Sequence, residues 1–477
     1  MDISNIRRNI GYSTINRIVF TVRGILVLPI ITQLFGVSDY GTWVYFNSIL
    51  GLVVSIAALH SQGLLIRYLP ESDDLQVFVN VSILSIVSAC CFSVAFIILT
   101  IYYNLIGLVS DVPHNTELLL SISYLIFIRI IWRSISAFPR AKENIRGFEI
   151  LRVARGLIET LTLTVALVLT ENLANGFWAI GFSFTIMAFV AYIVYIPKGL
   201  TTPQISKFPG YLDYGLPVML SNIATESLKD ADKYLIAFLL TANALGIYGV
   251  AYRIAGLLQN FTAVLKSTLY PAIVNAWEDE DMNQITQIYL VIFTTLIFLY
   301  PPTIVGLWSV STPLFQVLTA EPITANIPTL LLLLALGLVI KATGDVVQYV
   351  LMASKETRLI TIVAITASVV NIALNVVLLL TVGLIGAAIA TAIAYATESS
   401  LYYYFASRYV NFDIRLDYLW RATAAALCMG ALLSQLTIPS PEIALVSKVL
   451  LGIAIYVIIT FILNGFSLPR EAFTFDT

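Results

Sequence analysis

Residues 359–397 read LITIVAITASVVNIALNVVLLLTVGLIGAAIATAIAYAT, 39 positions without one Asp, Glu, Lys or Arg. About 20 apolar residues suffice to carry a helix across a bilayer, so this run holds two spans. Leu75–Ser110 and Met282–Ala320 are charge-free in the same way. Over the whole 477-residue chain 59% of residues are hydrophobic and 11% are charged. A soluble domain carries about 25% charge, so a soluble enzyme is excluded. An outer-membrane barrel is excluded too, because its strands give short alternating segments rather than long apolar runs. The chain reads as an all-α, polytopic membrane protein.

Apolar runs between polar or turn-rich breaks give about 14 spans. They lie near 10–34, 42–62, 77–102, 117–138, 150–170, 176–196, 212–239, 246–270, 285–307, 326–352, 358–380, 383–405, 419–437 and 443–464. Arg7 and Arg8 precede span 1, and no small-residue cleavage site follows, so the first span is expected to stay. Lys and Arg gather in alternate connections: Arg140, Lys142, Arg146 and Arg152, then Lys198 and Lys207, then Arg408 and Arg415. The intervening connections near 35–41, 103–116, 171–175, 240–245, 308–325 and 381–382 have none. The positive-inside rule then places both termini in the cytoplasm. Trp43, Trp178 and Trp308 fall at outer ends and Trp277 and Trp420 at inner ends, while Trp132 sits within span 4.

An internal repeat is visible. Gly41-Thr-Trp-Val-Tyr, opening span 2, matches Gly246-Ile-Tyr-Gly-Val, opening span 8; Ala141-Lys-Glu-Asn matches Ser354-Lys-Glu-Thr; and Asn175-Gly-Phe-Trp-Ala matches Val382-Gly-Leu-Ile-Gly. Three ordered matches at equivalent topological positions point to a six-span duplication in parallel orientation. The connector holds Pro197, Pro203 and Pro209 and reads as a linker. The expected organisation is an N-lobe over 1–200, a C-lobe over 201–406, and a C-terminal helix pair with its tail over 407–477. Two lobes facing each other across a cleft make the architecture of alternating access.

Net charge is −2, which supports no nucleic-acid partner. Cys90, Cys91 and Cys428 all fall in apolar runs and read as small core residues, with neither a disulfide framework nor a metal site. His60 and His114 are far apart in topology and offer no metal pair or dyad; no Walker-type glycine loop exists, and no cofactor is expected.

Charges inside spans carry the functional reading, since each costs roughly 2.5–3.5 kcal/mol at the bilayer centre on insertion scales. Arg155 with Glu159, Lys341 with Asp345, Glu226 with Lys229 and Asp230 with Lys233 are spaced to pair along one helix. Lys266 is placed to snorkel to the inner interface. Arg17 and Arg23 in span 1 and Arg129 and Arg133 in span 4 have no acid near them in their own spans. Something outside those helices must compensate them, either a cavity that accepts anions or acids from span 7. Guanidinium grips phosphate bidentately, so a phosphate-bearing substrate is expected and a cation would be repelled. Lys229, Lys233, Arg253 and Lys341 complete the candidate cationic cavity. Glu159, Glu226, Asp230, Asp345 and Glu398 are the candidates for coupling to H+ or Na+.

Leu28-Pro-Ile-Ile-Thr-Gln-Leu-Phe-Gly-Val-Ser-Asp-Tyr-Gly with Gly63 and Arg67, Tyr214-Gly-Leu-Pro with Asp232-Lys-Tyr and Leu245-Gly-Ile-Tyr, and Asn371-Ile-Ala-Leu-Asn with Gly383-Leu-Ile-Gly-Ala-Ala-Ile-Ala-Thr resemble, in order, the polysaccharide (Wzx-like) flippases of the MOP superfamily. The resemblance covers most of the chain. It implies movement of an oligosaccharide on an isoprenoid (undecaprenyl or dolichyl type) phosphate or pyrophosphate from the inner to the outer leaflet of the cell membrane, among membrane lipids and glycan-assembly proteins. It also implies that Arg17, Arg23 and Arg253 match arginines of related lipid flippases, and that spans 13 and 14 are the addition of the fourteen-helix branch. A MATE-like cation or drug antiporter is the alternative, although span 1 has arginines where such a carrier would favour an acid. A membrane glycosyltransferase or polymerase lacks the large outer loop it would need.

Overall fold

A computed structural model of the chain describes residues 19, 21, 23–70, 74–104, 106–107, 112–199, 201–319, 326–412 and 416–463, the side chains of 220–229, 260–261, 263–269, 271 and 416 excepted. The described residues are helical throughout, without a strand. The helices are α1 (Arg23–Phe35), α2 (Val37–Ala57), α3 (Ser61–Tyr68), α4 (Asp74–Ile97), α5 (Thr116–Ala141), α6 (Ile145–Thr170), α7 (Leu173–Tyr195), α8 (Phe208–Lys229), α9 (Ala231–Leu239), α10 (Ala242–Ala255), α11 (Leu258–Glu278), α12 (Met282–Thr319), α13 (Ile327–Ala353), α14 (Thr357–Val382), α15 (Leu384–Ala406), α16 (Leu416–Ser434) and α17 (Pro441–Ile462). Ten stretches among the described residues are long and apolar enough to cross a membrane, and α1 is a shorter apolar helix.

Of the 14 spans read in the sequence, span 1 lies largely outside the described residues. Spans 7 and 8 are each broken. Between α8 and α9 the carbonyl of Asp230 accepts from the N–H of Lys233 at 3.0 Å and of Tyr234 at 3.2 Å, starting a fresh helix. Between α10 and α11 the break falls at Gly256 and Leu257. Conversely, α12 runs on to Thr319 with Pro301, Pro302 and Pro313 inside it. A hydropathy profile is blind to such breaks, because prolines and kinks in membrane helices are re-satisfied by neighbouring groups. The cysteines are also placed differently from expectation: Cys90, Cys91 and Cys428 are exposed on apolar helix surfaces rather than in a core.

The chain forms two compact units, Met1–Gly246 and Ile247–Thr477. In the first, α5 is the central helix, packed by α2, α3, α4, α6 and α7. Short turns set the antiparallel order of α5, α6 and α7. The Asn144 side chain caps α6 by accepting from the N–H of Gly147 at 2.8 Å, and Asn172 caps α7 by accepting from that of Ala174 at 2.9 Å. The helices α8 and α9 pack on α2 and α3, with the Tyr234 hydroxyl donating to the Ser48 carbonyl at 2.8 Å. The first compact unit thus extends to Gly246, taking in α8 and α9. The proline-rich connector is tied down as well. Gln76 of α4 donates to the Thr202 carbonyl at 2.8 Å and accepts from the Thr201 hydroxyl at 2.6 Å, while Asn80 accepts from the Gln204 N–H at 2.8 Å.

In the second unit α13 is central, packed by α11, α12, α14 and α15. The pair α16–α17 lies on α12 through Ala425, Ala426, Met429 and Leu433, and the Tyr456 hydroxyl donates to the Phe298 carbonyl at 2.8 Å.

The first glycines of the two repeat motifs meet. A Cβ on Gly41 would lie 1.9 Å from the Ala242 carbonyl oxygen, and a Cβ on Gly246 would lie 1.9 Å from the Val37 carbonyl oxygen. Each glycine rests on the carbonyl four residues before the other, a reciprocal crossing that tolerates no side chain. We expect Gly41→Val and Gly246→Val each to lower the melting temperature of the detergent-purified protein by about 5 °C or more. Gly210→Ala, where nothing lies within 4 Å of the added Cβ, is expected to leave it unchanged.

Candidate functional site

Two helix faces decide the site. On α5 the positions Arg129, Arg133, Ser136 and Arg140 fall at i, i+4, i+7 and i+11, one stripe of the helix. On α6 the positions Phe148, Arg152, Arg155 and Glu159 repeat that spacing. The tight turn at 142–144 folds α6 back against α5, so the two stripes run antiparallel and converge. Between them, closed by Arg23 of α1, residues of α2 and Phe184 of α7, lies a cavity of about 750 Å³ within the first unit. Among the described residues six arginines line it, namely Arg23, Arg129, Arg133, Arg140, Arg152 and Arg155, against one acid, Glu159.

Glu159 is the electrostatic pivot. Its side chain is 1% exposed, and its two oxygens accept from Arg23 Nη2 and Arg155 Nη1 at 2.5 Å each. One carboxylate thus serves guanidiniums from two helices. Two rings hold four of the guanidiniums. Arg129 and Arg155 lie over Phe184 at 5.3 and 4.5 Å, and Arg140 and Arg152 lie over Phe148 at 5.5 and 5.4 Å. Such contacts contribute about 0.5–2 kcal/mol each, more where water is excluded, and leave N–H donors pointing elsewhere. Arg152 also lies 3.7 Å from Glu149. Among the described residues Arg129 makes no ion pair, and its buried Nε has no hydrogen-bond partner.

Of the cationic positions singled out in the sequence, Arg23, Arg129 and Arg133 come together here. Lys233 pairs instead with Asp230 at 2.5 Å. Lys341 belongs to the second unit, 3.3 Å from Asp345 and 2.9 Å from Glu398, two carboxylates on one ammonium. Arg253 is exposed on α10. Arg17 and the side chains of Glu226, Lys229 and Lys266 lie outside the described residues. The i,i+4 and i,i+3 pairs Arg155–Glu159, Lys341–Asp345 and Asp230–Lys233 all form. The sequence reading missed the second partners, Arg23 for Glu159 and Glu398 for Lys341. It also left Arg140 and Arg152 as orientation signals of a loop, although their register with Arg133 and Arg155 was a signal that they face the same cavity. Trp132, anomalous within span 4 as an interfacial anchor, lines the cavity with its ring 5.9 Å from the Arg155 guanidinium.

Comparison with known proteins supplies the remaining information. The solved structure of the lipid II flippase MurJ in an inward closed conformation superposes with a TM-score of 0.76 over 95% of this chain and 98% of that one, at 21% identity. An inward-facing multidrug resistance MATE family transporter of the MOP superfamily gives 0.65 over 82% and 94%, at 14% identity. A MOP superfamily transporter from Pyrococcus furiosus, whose binding pocket is described as having reverse polarity, gives 0.55 over 84% and 94%, again at 14% identity. These likenesses establish the fold. In sequence, the probable low-salt glycan biosynthesis flippase Agl15 of Haloferax volcanii is 23% identical over 238 residues. That match spans half of this chain and half the length of that relative. The family model described as "Polysaccharide biosynthesis protein" matches residues 30–327, more than half of the chain and the whole of the arginine-lined cavity except Arg23. This multi-pass membrane protein therefore belongs to the polysaccharide biosynthesis protein family.

Proposed function

We propose that the chain is a flippase for a saccharide carried on an isoprenoid phosphate or pyrophosphate, moving it from the cytoplasmic to the outer leaflet for surface polysaccharide or glycan assembly. The observation that carries this reading is the cavity in the first unit, lined among the described residues by six arginines against one glutamate, five of the arginines on helices long and apolar enough to cross a membrane. Charge of one sign at that depth is retained only where a counter-charge arrives, and arginine in this number suits a phosphate headgroup. The family and the relatives, one a glycan flippase and one a lipid II flippase, support the same cargo class. A cation or drug antiporter would have to bring positive charge against this lining.

In this reading both termini face the cytoplasm, which puts Arg140 and Arg152 at the inner mouth and Arg23, Arg129 and Arg155 deeper. The α5 stripe from Arg140 to Arg129 spans about 16 Å, so a phosphate group travels along it from one station to the next. The glycan follows in the aqueous cavity while the isoprenoid chain stays in lipid, and access alternates between the two faces. Glu159, Glu226, Asp230, Asp345 and Glu398 are the candidate sites for coupling to H+ or Na+; of these Asp230 pairs with Lys233, and Asp345 and Glu398 share Lys341.

In cells lacking the chain, lipid-linked saccharide is expected to accumulate and the surface polymer to disappear, both measured by mass spectrometry of extracted glycolipids. The wild-type gene should restore the polymer. Arg23→Gln with Arg129→Gln should not, despite normal amounts of protein in the membrane; restoration by that double variant overturns the cavity assignment. The aromatic shelf gives a subtler test. Phe184→Leu keeps the bulk and loses the ring face, and we expect transport to fall by about three- to tenfold. Phe182→Leu, 57% exposed on the outside of the same helix, should transport normally.

A further inference from the structure

We propose that Glu159 is an exchangeable internal anion, which holds Arg155 while the cavity is empty and surrenders it to a phosphate group of the cargo. The inference rests on the flippase reading and goes further by naming the step that loads and unloads the site.

Three observations carry it. First, Glu159 fills the role of an incoming anion: it is buried, it bridges guanidiniums from α1 and α6, and it is the sole acid lining the cavity among the described residues. A phosphate oxygen accepts from guanidinium Nη groups in the same way as a carboxylate oxygen. Second, Arg129 has no such partner. It makes no ion pair among the described residues, its buried Nε is unsatisfied, and this pair-free guanidinium deep in the cavity is the natural landing point for an anion that has passed the mouth. Third, Arg129 and Arg155 share one ring. Their guanidiniums lie 5.3 and 4.5 Å from the Phe184 centroid, so an anion bound at Arg129 is within reach of Arg155 after a small swing about that ring.

The exchange solves a problem that the lining creates. Six arginines without an internal competitor would retain a diphosphate, because each charge-assisted contact strengthens where water is scarce. Glu159 keeps Arg23 throughout, so its carboxylate is never left unpaired, and cedes only Arg155. When the carboxylate reclaims Arg155, the phosphate loses its second guanidinium and departs.

The test uses the full chain purified in detergent, with farnesyl diphosphate as the probe and binding read from the thermal shift. Inorganic pyrophosphate and farnesol are run beside it. Stabilisation by pyrophosphate and farnesyl diphosphate alike identifies the phosphate as the recognised group, and stabilisation by farnesyl diphosphate alone shows that the lipid chain is required as well. Glu159→Gln removes the competitor, and we expect farnesyl diphosphate to bind about tenfold tighter while transport in cells falls. Should that variant misfold with Arg23 uncompensated, Glu159→Asp retains the charge and draws it back from Arg155; tighter binding by a smaller factor is then expected. A folded Glu159→Gln or Glu159→Asp that binds no more tightly than wild type overturns the exchange. Arg129→Gln separates this failure from that of the flippase reading. If it weakens binding, the phosphate site stands without the exchange. If wild type itself binds neither diphosphate, both fall together.

Discussion

The structure turns on a single carboxylate between two guanidiniums. Arg23 enters the first unit from α1 and Arg155 from α6, and the one carboxylate of Glu159 accepts from both. At membrane depth an uncompensated guanidinium is unstable, so the placement of α1 against α6 is bound to the position of that acid. The hairpin turn at 142–144 then fixes where α5 lies, and with it the remaining arginines. Breaking the bridge removes more than one ion pair, because it leaves two cations whose nearest common anion is gone.

Aromatic rings do for the other cations what carboxylates usually do. Phe184 contacts both Arg129 and Arg155, and Phe148 both Arg140 and Arg152. A carboxylate would neutralise a guanidinium and occupy its donors; a ring face holds it in place and leaves both charge and donors available. The cavity thereby stays strongly cationic and still ordered, the condition a phosphate site requires. The cluster in the second unit has the opposite balance, with Lys341 shared by Asp345 and Glu398.

Helix crossings in this protein are set by absent side chains as much as by present ones. The Gly41–Gly246 crossing brings helix backbones to a separation that a single methyl group would forbid. Without a hydrophobic effect between helices in lipid, such close backbone approach supplies the packing that water-driven burial supplies elsewhere. The connector that reads as a free proline linker is fastened to α4 by both ends of the Gln76 amide and by Oδ1 of Asn80.

The membrane class, most of the helices, the i,i+3 and i,i+4 pairs and the oddity of arginines in spans 1 and 4 are readable from the residues alone. Each of these rests on local composition or on helical periodicity, which one segment expresses alone. The sequence could not show that Arg23 meets Glu159, since 136 residues separate them and only the fold of α1 against α6 closes that distance. Nor could it show that Asp230 and Gly256 interrupt spans, because the hydrogen bonds that restart the helix compete on nearly equal terms with continuing it. The gathering of Arg140 and Arg152 with the deeper arginines was half legible. Their register was in the sequence, but which face of α5 meets which face of α6 is settled by packing, where Asn144 caps the turn and the central helix α5 is held by five neighbours at once.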